Sequence, residues 1–431
     1  MNEDLLQYAW QCKLFKMTDL QTTEGIPVEI IDVGQLNKDA GPDFFNAKIK
    51  IGNTIWAGNI EIHTLASDWY RHHHDQDERY NTIILHVVGK SDLSIQRENG
   101  ETIPQIELEL EKHVMDKYKL LKQSDNWIRC KPLWEGLNKD FLQFQLSHFI
   151  YERIYRKGKE LLPILQQNKN DWATTFYHSL IKSFGMRANA LPFELTGKST
   201  PLRAIVQEKA DLRGLEALLL GQAHLINENP RDSYEADLKK RYEYQARKHT
   251  LRPIDSSLWK FGRMRPANFP HIKIVQFADL LHHSEHLFSK IKEAKELDDI
   301  RILLKCQASS YWENHYVFGK ETKRKSKHLD SASIDSLIIN AVVPLYFLYA
   351  ERHEDEVMQE RCLKWLEQIP PEKNKIIEGW ESIGQKASNA YQTQALIELK
   401  TQYCNLNKCL HCSIGQHLLC KKTERECTKI V

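Results

Sequence analysis

AGPDFFNAKIKIGNTIWAGNIEIHT, residues 40–64, decides the fold class of this chain. Within it Phe45, Ala47, Ile49 and Ile51 alternate with Asn46, Lys48 and Lys50, the period-two pattern of a strand with one face in a core. Gly52-Asn53 turns the chain, and residues 55–64 supply the partner strand. Upstream, residues 28–33 follow Pro27 and are rich in β-branched side chains, which predicts another strand. Earlier still, Leu5, Leu6, Ala9, Trp10 and Cys12 have helical spacing. Downstream, Ser67 is placed to cap a short helix through Tyr80, and residues 83–88 form an apolar run suited to an inner strand. The predicted order is helix, three strands, helix, strand. Residues 103–110 alternate again as an edge strand, before a helix from about Lys112 to Lys122.

After Trp134 the period becomes helical almost everywhere, as in residues 141–165, 172–184, 212–225, 274–292 and 334–350. The expected fold class is therefore α+β, with an α/β domain over 1–135, a mainly α-helical domain over 136–400 and a Cys-rich tail over 401–431.

The chemistry starts from strand geometry. Residues two apart share a face, so Glu61 and His63 point one way while Ile60 and Ile62 point into the core. Asp43, brought beside Glu61 by the hairpin, completes a pair of carboxylates able to hold a hard divalent cation, magnesium or manganese. Such an ion activates water and stabilises charge on a phosphate oxygen, and His63 is placed to orient the water or a phosphate, or to act as a third ligand. The blander reading makes Asp43 a turn-capping residue and Glu61 an outward-facing strand residue. His72, His73, His74, Asp75 and Asp77 crowd the next segment as further candidate ligands or a solvated face, and His86, inside an apolar strand, reads first as a satisfied core histidine and second as a residue underlying the site.

Pro42-Asp43, a hairpin and Glu61-Ile62-His63, in that element order, resemble the core of the PD-(D/E)XK nuclease superfamily, with His63 where that pattern has lysine. The resemblance implies a restriction-endonuclease-like core in which the acids hold magnesium and phosphodiester bonds are hydrolysed. Over its whole length the chain is also similar to a bacterial family, domain of unknown function 2851, through AGPDFFNAKI, NIEIH, SDWYRHHHDQDERYN, LHVV, RPANFPHIKI and CLHCSIG. That resemblance brings no activity with it.

With 431 residues, 41% hydrophobic and 27% charged, the composition is that of a globular chain and excludes wholesale disorder and collagen-like repeats. The N-terminus lacks the basic-then-apolar order of a secretory signal, so a cytoplasmic location without a membrane is expected. The longest uncharged apolar stretch, residues 336–350, carries Pro344 and is expected as a buried helix. The net charge of +2 is unevenly spread, since residues 239–273 hold ten Lys and Arg against two acids. Lys239, Lys240, Arg241, Arg247, Lys248, Arg252, Lys260, Arg263 and Arg265, interleaved with Tyr242, Tyr244, Trp259, Phe261 and Phe269, have the composition of a nucleic-acid groove, DNA or RNA. In the tail, Cys404, Cys409, Cys412 and Cys420 include one two-residue gap and are candidates for a structural zinc or iron–sulfur centre. No nucleotide loop, dinucleotide fingerprint or nucleophile elbow is present. The expected function is a metal-dependent nuclease or phosphodiesterase, and the alternative is a non-catalytic nucleic-acid-binding or scaffold protein that keeps a nuclease-like core.

Overall fold

The 40–64 stretch folds as a hairpin in the computed structural model of the chain, which describes residues 2–420. The elements around it run α1 (Glu3–Gln11), β1 (Val28–Asp32), β2 (Gln35–Leu36), β3 (Phe44–Ile51), β4 (Thr54–Leu65), α2 (Asp68–Arg71), β5 (Ile83–Lys90), β6 (Gln105–Glu107) and α3 (Lys112–Gln123). Ile51 faces Thr54 across the hairpin turn, where Gly52 takes φ +58°, a sign that glycine adopts without steric cost. The sheet order is β1-β3-β4-β5-β6, with β2 paired beside β1 on β3. Pairing is antiparallel from β1 to β4 and parallel from β4 to β6, so the sheet is mixed and the fold α+β.

A parallel neighbour requires a crossover, and α2 with two 3-10 turns makes it. The helix predicted through Tyr80 stops at Arg71, because His73 takes the left-handed conformation at φ +61°. Ser67 does not cap it; its hydroxyl donates to Asp92 Oδ2 at 2.7 Å. Asp68 instead accepts from Thr64 Oγ1 and the Leu65 amide, which fixes the exit of β4. Ile60, Ile62, Leu85 and Val87 bury one sheet face with Leu6 and Trp10 of α1, while Trp69, Tyr80, Ile83, Ile95 and Ile103 form a smaller second core.

The chain divides into two compact units: one runs to Gln145 and resumes at Leu399, and the other is Leu146–Glu398. Where the sequence set 401–431 apart, residues 401–420 pack into the first unit. Tyr8 Oη donates to the Gln416 carbonyl and Lys117 Nζ to the Leu418 carbonyl, each at 3.0 Å. Residues 421–431, with Cys427, lie outside the described residues.

The second unit is helical, and Trp172–Phe184 keeps the predicted bounds. Ser331–Arg352 is long and apolar enough to cross a membrane, but Ile338, Ala341, Val342 and Leu345 are buried inside this unit. A π-helical turn, Ile338–Val342, precedes Pro344. Elsewhere in the unit, Gly221 of helix Leu212–Gln222 lies against the Tyr242 ring of helix Ser233–His249 so closely that no Cβ fits. Gly221→Ala should therefore destabilise this unit by about 1–3 kcal/mol in urea melts, although alanine is the better helix former by about 1 kcal/mol.

Candidate metal centre

Asp43 sits in the turn leading into β3, and Glu61 lies on β4 beside it. The Asp43 amide donates to Glu61 Oε2 at 3.1 Å, and Asp43 Oδ2 accepts from the Ile62 amide at 2.9 Å. Two irregularities flank the pair. The β3–β4 register shifts between Phe44 and Ala47, where Asn46 has φ +58°, and the β4–β5 register shifts between Asn59 and Ile60. Bulges of this kind re-aim side chains next to functional sites. From α1, Gln7 Nε2 donates to Asp43 Oδ1 at 2.9 Å and to Glu3 Oε1 at 3.5 Å, which brings a third acid to the group.

The other half of the site is imidazole. Glu61 Oε1 lies 3.2 Å from His74 Nε2 and 3.7 Å from His63 Nε2. His63, His72 and His74 each present a ring nitrogen, and these nitrogens lie within 4.8 Å of one another. Behind them runs a chain that sets the His63 tautomer. Gln105 Nε2 donates to the Leu93 carbonyl, so its Oε1, 3.3 Å from His86 Nδ1, accepts the proton there. Neutral His86 then accepts at Nε2, 2.8 Å from His63 Nδ1, which must carry the His63 proton. The lone pair of His63 is left on Nε2, facing Glu61, His74 and His72 Nδ1 at 3.2 Å. An imidazole held from behind and basic in front is the arrangement found at metal-ligating histidines.

Burial governs the charges. It pushes Asp43 up to about 7, with the Glu61 charge adding, and Glu61 up to about 8, with Glu3 adding and the Asp43 amide opposing. Glu3 is raised by its own burial and by Asp43. Burial, with the neighbouring histidines, holds His63 far below its usual value; burial also lowers His74, and takes His86 down to about 4. Three acids thus meet neutral imidazoles, a donor set short of positive charge that a divalent cation fits. The presence of imidazoles among the acids suits manganese, zinc or another first-row metal better than magnesium.

Asp43, Glu61 and His63 therefore come together. Glu3 and Gln7 escaped the sequence reading, although their i,i+4 spacing on one helix was a signal. Of the basic residues, Lys239 pairs with Glu228, Arg241 with Asp211 and Asp237, and Lys248 with Glu208. Lys240, Arg247, Arg252, Lys260, Arg263 and Arg265 are exposed. The interleaved aromatics are partly structural: Trp259 is buried with Nε1 donating to the Ala223 carbonyl, and the Tyr242 hydroxyl donates to Gln222. Among the cysteines, Cys404, Cys409 and Cys412 line one pocket, joined there by Cys130. Cys420 stands apart, with Sγ 2.9 Å from Tyr8 Oη and a hydrogen bond to Cys12.

No curated protein and no solved structure matches the chain. A family described as "Protein of unknown function (DUF2851)" matches residues 3–375, a span that takes in Glu3, Asp43, Glu61, the histidine cluster and the basic stretch and stops short of Cys404. On a match of that extent, reaching through both units, the chain belongs to the DUF2851 family.

Proposed function

We propose that the first unit hydrolyses phosphodiester bonds in nucleic acid, using a divalent cation held by Asp43 and Glu61 with His63, His72 and His74. The observation that carries this reading is the burial of Asp43 and Glu61 against each other, both raised far above ordinary carboxylates, with neutral imidazoles as their neighbours. Buried acids left this way are uncommon unless a cation or a proton is part of their work. Helix, three main strands, helix and strand, with Asp43 before one strand and Glu61-Ile62-His63 on the next, is also similar to the PD-(D/E)XK core. When bound, the cation supplies water activation and charge stabilisation. The chain's own part is to hold it. Asp43 is fixed by Gln7 and the Ile62 amide, and His63 by His86 and Gln105. His72 is exposed and stands at the solvent side of the cluster. The exposed cations from Lys240 to Arg265 supply phosphate contacts in this reading.

A second reading, a non-catalytic nucleic-acid-binding or scaffold protein, is favoured by His63. Buried and neutral, it cannot supply the positive charge that lysine brings at that position of the superfamily. The two readings part in one assay. Purified protein is incubated with single- and double-stranded DNA and RNA in magnesium, manganese or EDTA, beside Asp43→Ala. Metal-dependent cutting that Asp43→Ala lowers by at least about 100-fold is expected. Salt-sensitive binding with no cutting by the parent would leave the scaffold reading.

A further inference from the structure

A second cluster in the first unit is separate from the acid–histidine centre and independent of the proposed hydrolysis. Cys130 stands just before α4 (Lys131–Trp134), Cys404 ends the π-helical turn Leu399–Cys404, Cys409 opens the 3-10 turn Cys409–His411, and Cys412 follows it. All four line one cavity of about 20 Å³. Lys400 clamps the distant segments together, and a close backbone approach tightens the tail itself. Lys400 Nζ donates to the Trp127 carbonyl at 2.5 Å and lies 4.4 Å over the Trp127 ring. Gly415, in the helix Ser413–Cys420, approaches the Cys409 carbonyl too closely for any Cβ.

Thiols gathered this way gain little from one another, because S–H is a weak donor and S a weak acceptor. Burial and the neighbouring sulfurs push Cys130 up to about 12, and burial raises Cys404 and Cys409 as well. A soft metal reverses that balance, since it binds the thiolate and releases the proton to solvent. Positive charge is already at hand: Arg129 and Lys408 line the cavity, and Lys400 interacts with Cys404.

We propose that Cys130, Cys404, Cys409 and Cys412 ligate one four-thiolate metal centre, an iron–sulfur cluster or zinc, that fastens the C-terminal segment to the first unit. Cys130 takes the place that spacing alone assigned to Cys420. Four thiols give up four protons on binding, and with every ligand position occupied by sulfur the centre is structural.

The test uses full-length protein, purified without oxygen and, in a second sample, reconstituted with ferrous iron and sulfide. Iron, sulfide and zinc are counted in a His72→Ala, His74→Ala background, which weakens the hold of the acid–histidine centre on a first-row metal. Absorbance near about 400 nm reports the cluster. Iron with sulfide, or zinc alone, at one centre per chain supports the site and identifies the metal. Cys130→Ser should lower that content by about tenfold or more, and Cys420→Ser should leave it unchanged. If Cys130→Ser does not fold, alkylation of the native protein decides: the four thiols should be protected until the metal is stripped, while Cys420, whose thiol is held below its usual value by hydrogen bonds from Cys12 and Tyr8, reacts at once. Neither metal retained, four thiols that alkylate freely, or metal lost from Cys420→Ser but kept by Cys130→Ser would overturn the assignment.

Discussion

Glu61→Gln melts at a higher temperature than the parent in EDTA above pH 8, and cuts nucleic acid at least about 100-fold more slowly in metal. Both halves of this result come from the same burial. Burial holds the Glu61 carboxyl up to about 8, against an ordinary value of 4.5 in the unfolded chain. Between those values the folded protein keeps a proton that the unfolded chain has released. Stability therefore falls as pH rises from about 4.5 through 8, and the full penalty is in place above that. Glutamine keeps an acceptor for the Asp43 amide and carries no charge to desolvate, so its advantage is absent below pH 4.5 and grows to a plateau above 8. His63 and His86 act in the opposite sense, losing stability as pH falls below their unfolded values, but they are common to both proteins and drop out of the difference. A gain of roughly 2 kcal/mol is expected after discounting the nominal 1.36 kcal/mol per pKa unit for relaxation around the site. That corresponds to about 4–8 °C in the melting of a unit this size. A variant that is less stable at every pH would instead make Glu61 a structural acceptor for the turn at Asp43. Stability gained together with activity lost is the mark of a residue kept for its chemistry.

The strands were legible because their information is local. Alternation from Phe45 to Ile51 and the Gly52-Asn53 turn define β3 and its hairpin, and the adjacency of Asp43 and Glu61 follows once the hairpin closes. What was illegible lies at long range. Glu3 and Gln7 reach Asp43 from a helix some forty positions upstream, through a contact that no period encodes. Cys130 meets the tail cysteines where Lys400 and Trp127 join their segments, whereas spacing favoured Cys420, whose sulfur turns to Tyr8. His72 and His74 were read as candidates without geometry. The left-handed His73 between them ends α2 and lets His74 face Glu61 and His72 face His63, a backbone event that composition does not announce. The basic stretch was legible only in part, for the converse reason. Its charge is plain in sequence, but the acids that pair Lys239, Arg241 and Lys248 come mostly from other parts of the chain.

The imidazoles make the choice of metal the sharper test of the centre. Two carboxylates alone describe a magnesium site, whereas His63 and His74 beside Glu61, with His72 beside His63, describe a site for a first-row transition ion, because magnesium prefers oxygen and retains its waters. Cobalt(II) is the useful probe, since its near-ultraviolet thiolate band separates binding at the cysteines from binding at the imidazoles. The parent should bind cobalt far more tightly than magnesium, and the affinity should climb from pH 6 to 8 as Asp43 and Glu61, held up to about 7 and 8, release their protons. Removing His72 and His74 together should weaken cobalt by at least about 100-fold while moving magnesium by less than about threefold. The double variant keeps Asp43 and Glu61, so magnesium remains a fair internal control. If cobalt and magnesium weaken in parallel, the two histidines hold the shape of the site and do not ligate. If only cobalt weakens, the ion belongs to the imidazoles as much as to the acids, and activity assays on this chain should be run in manganese or cobalt before magnesium.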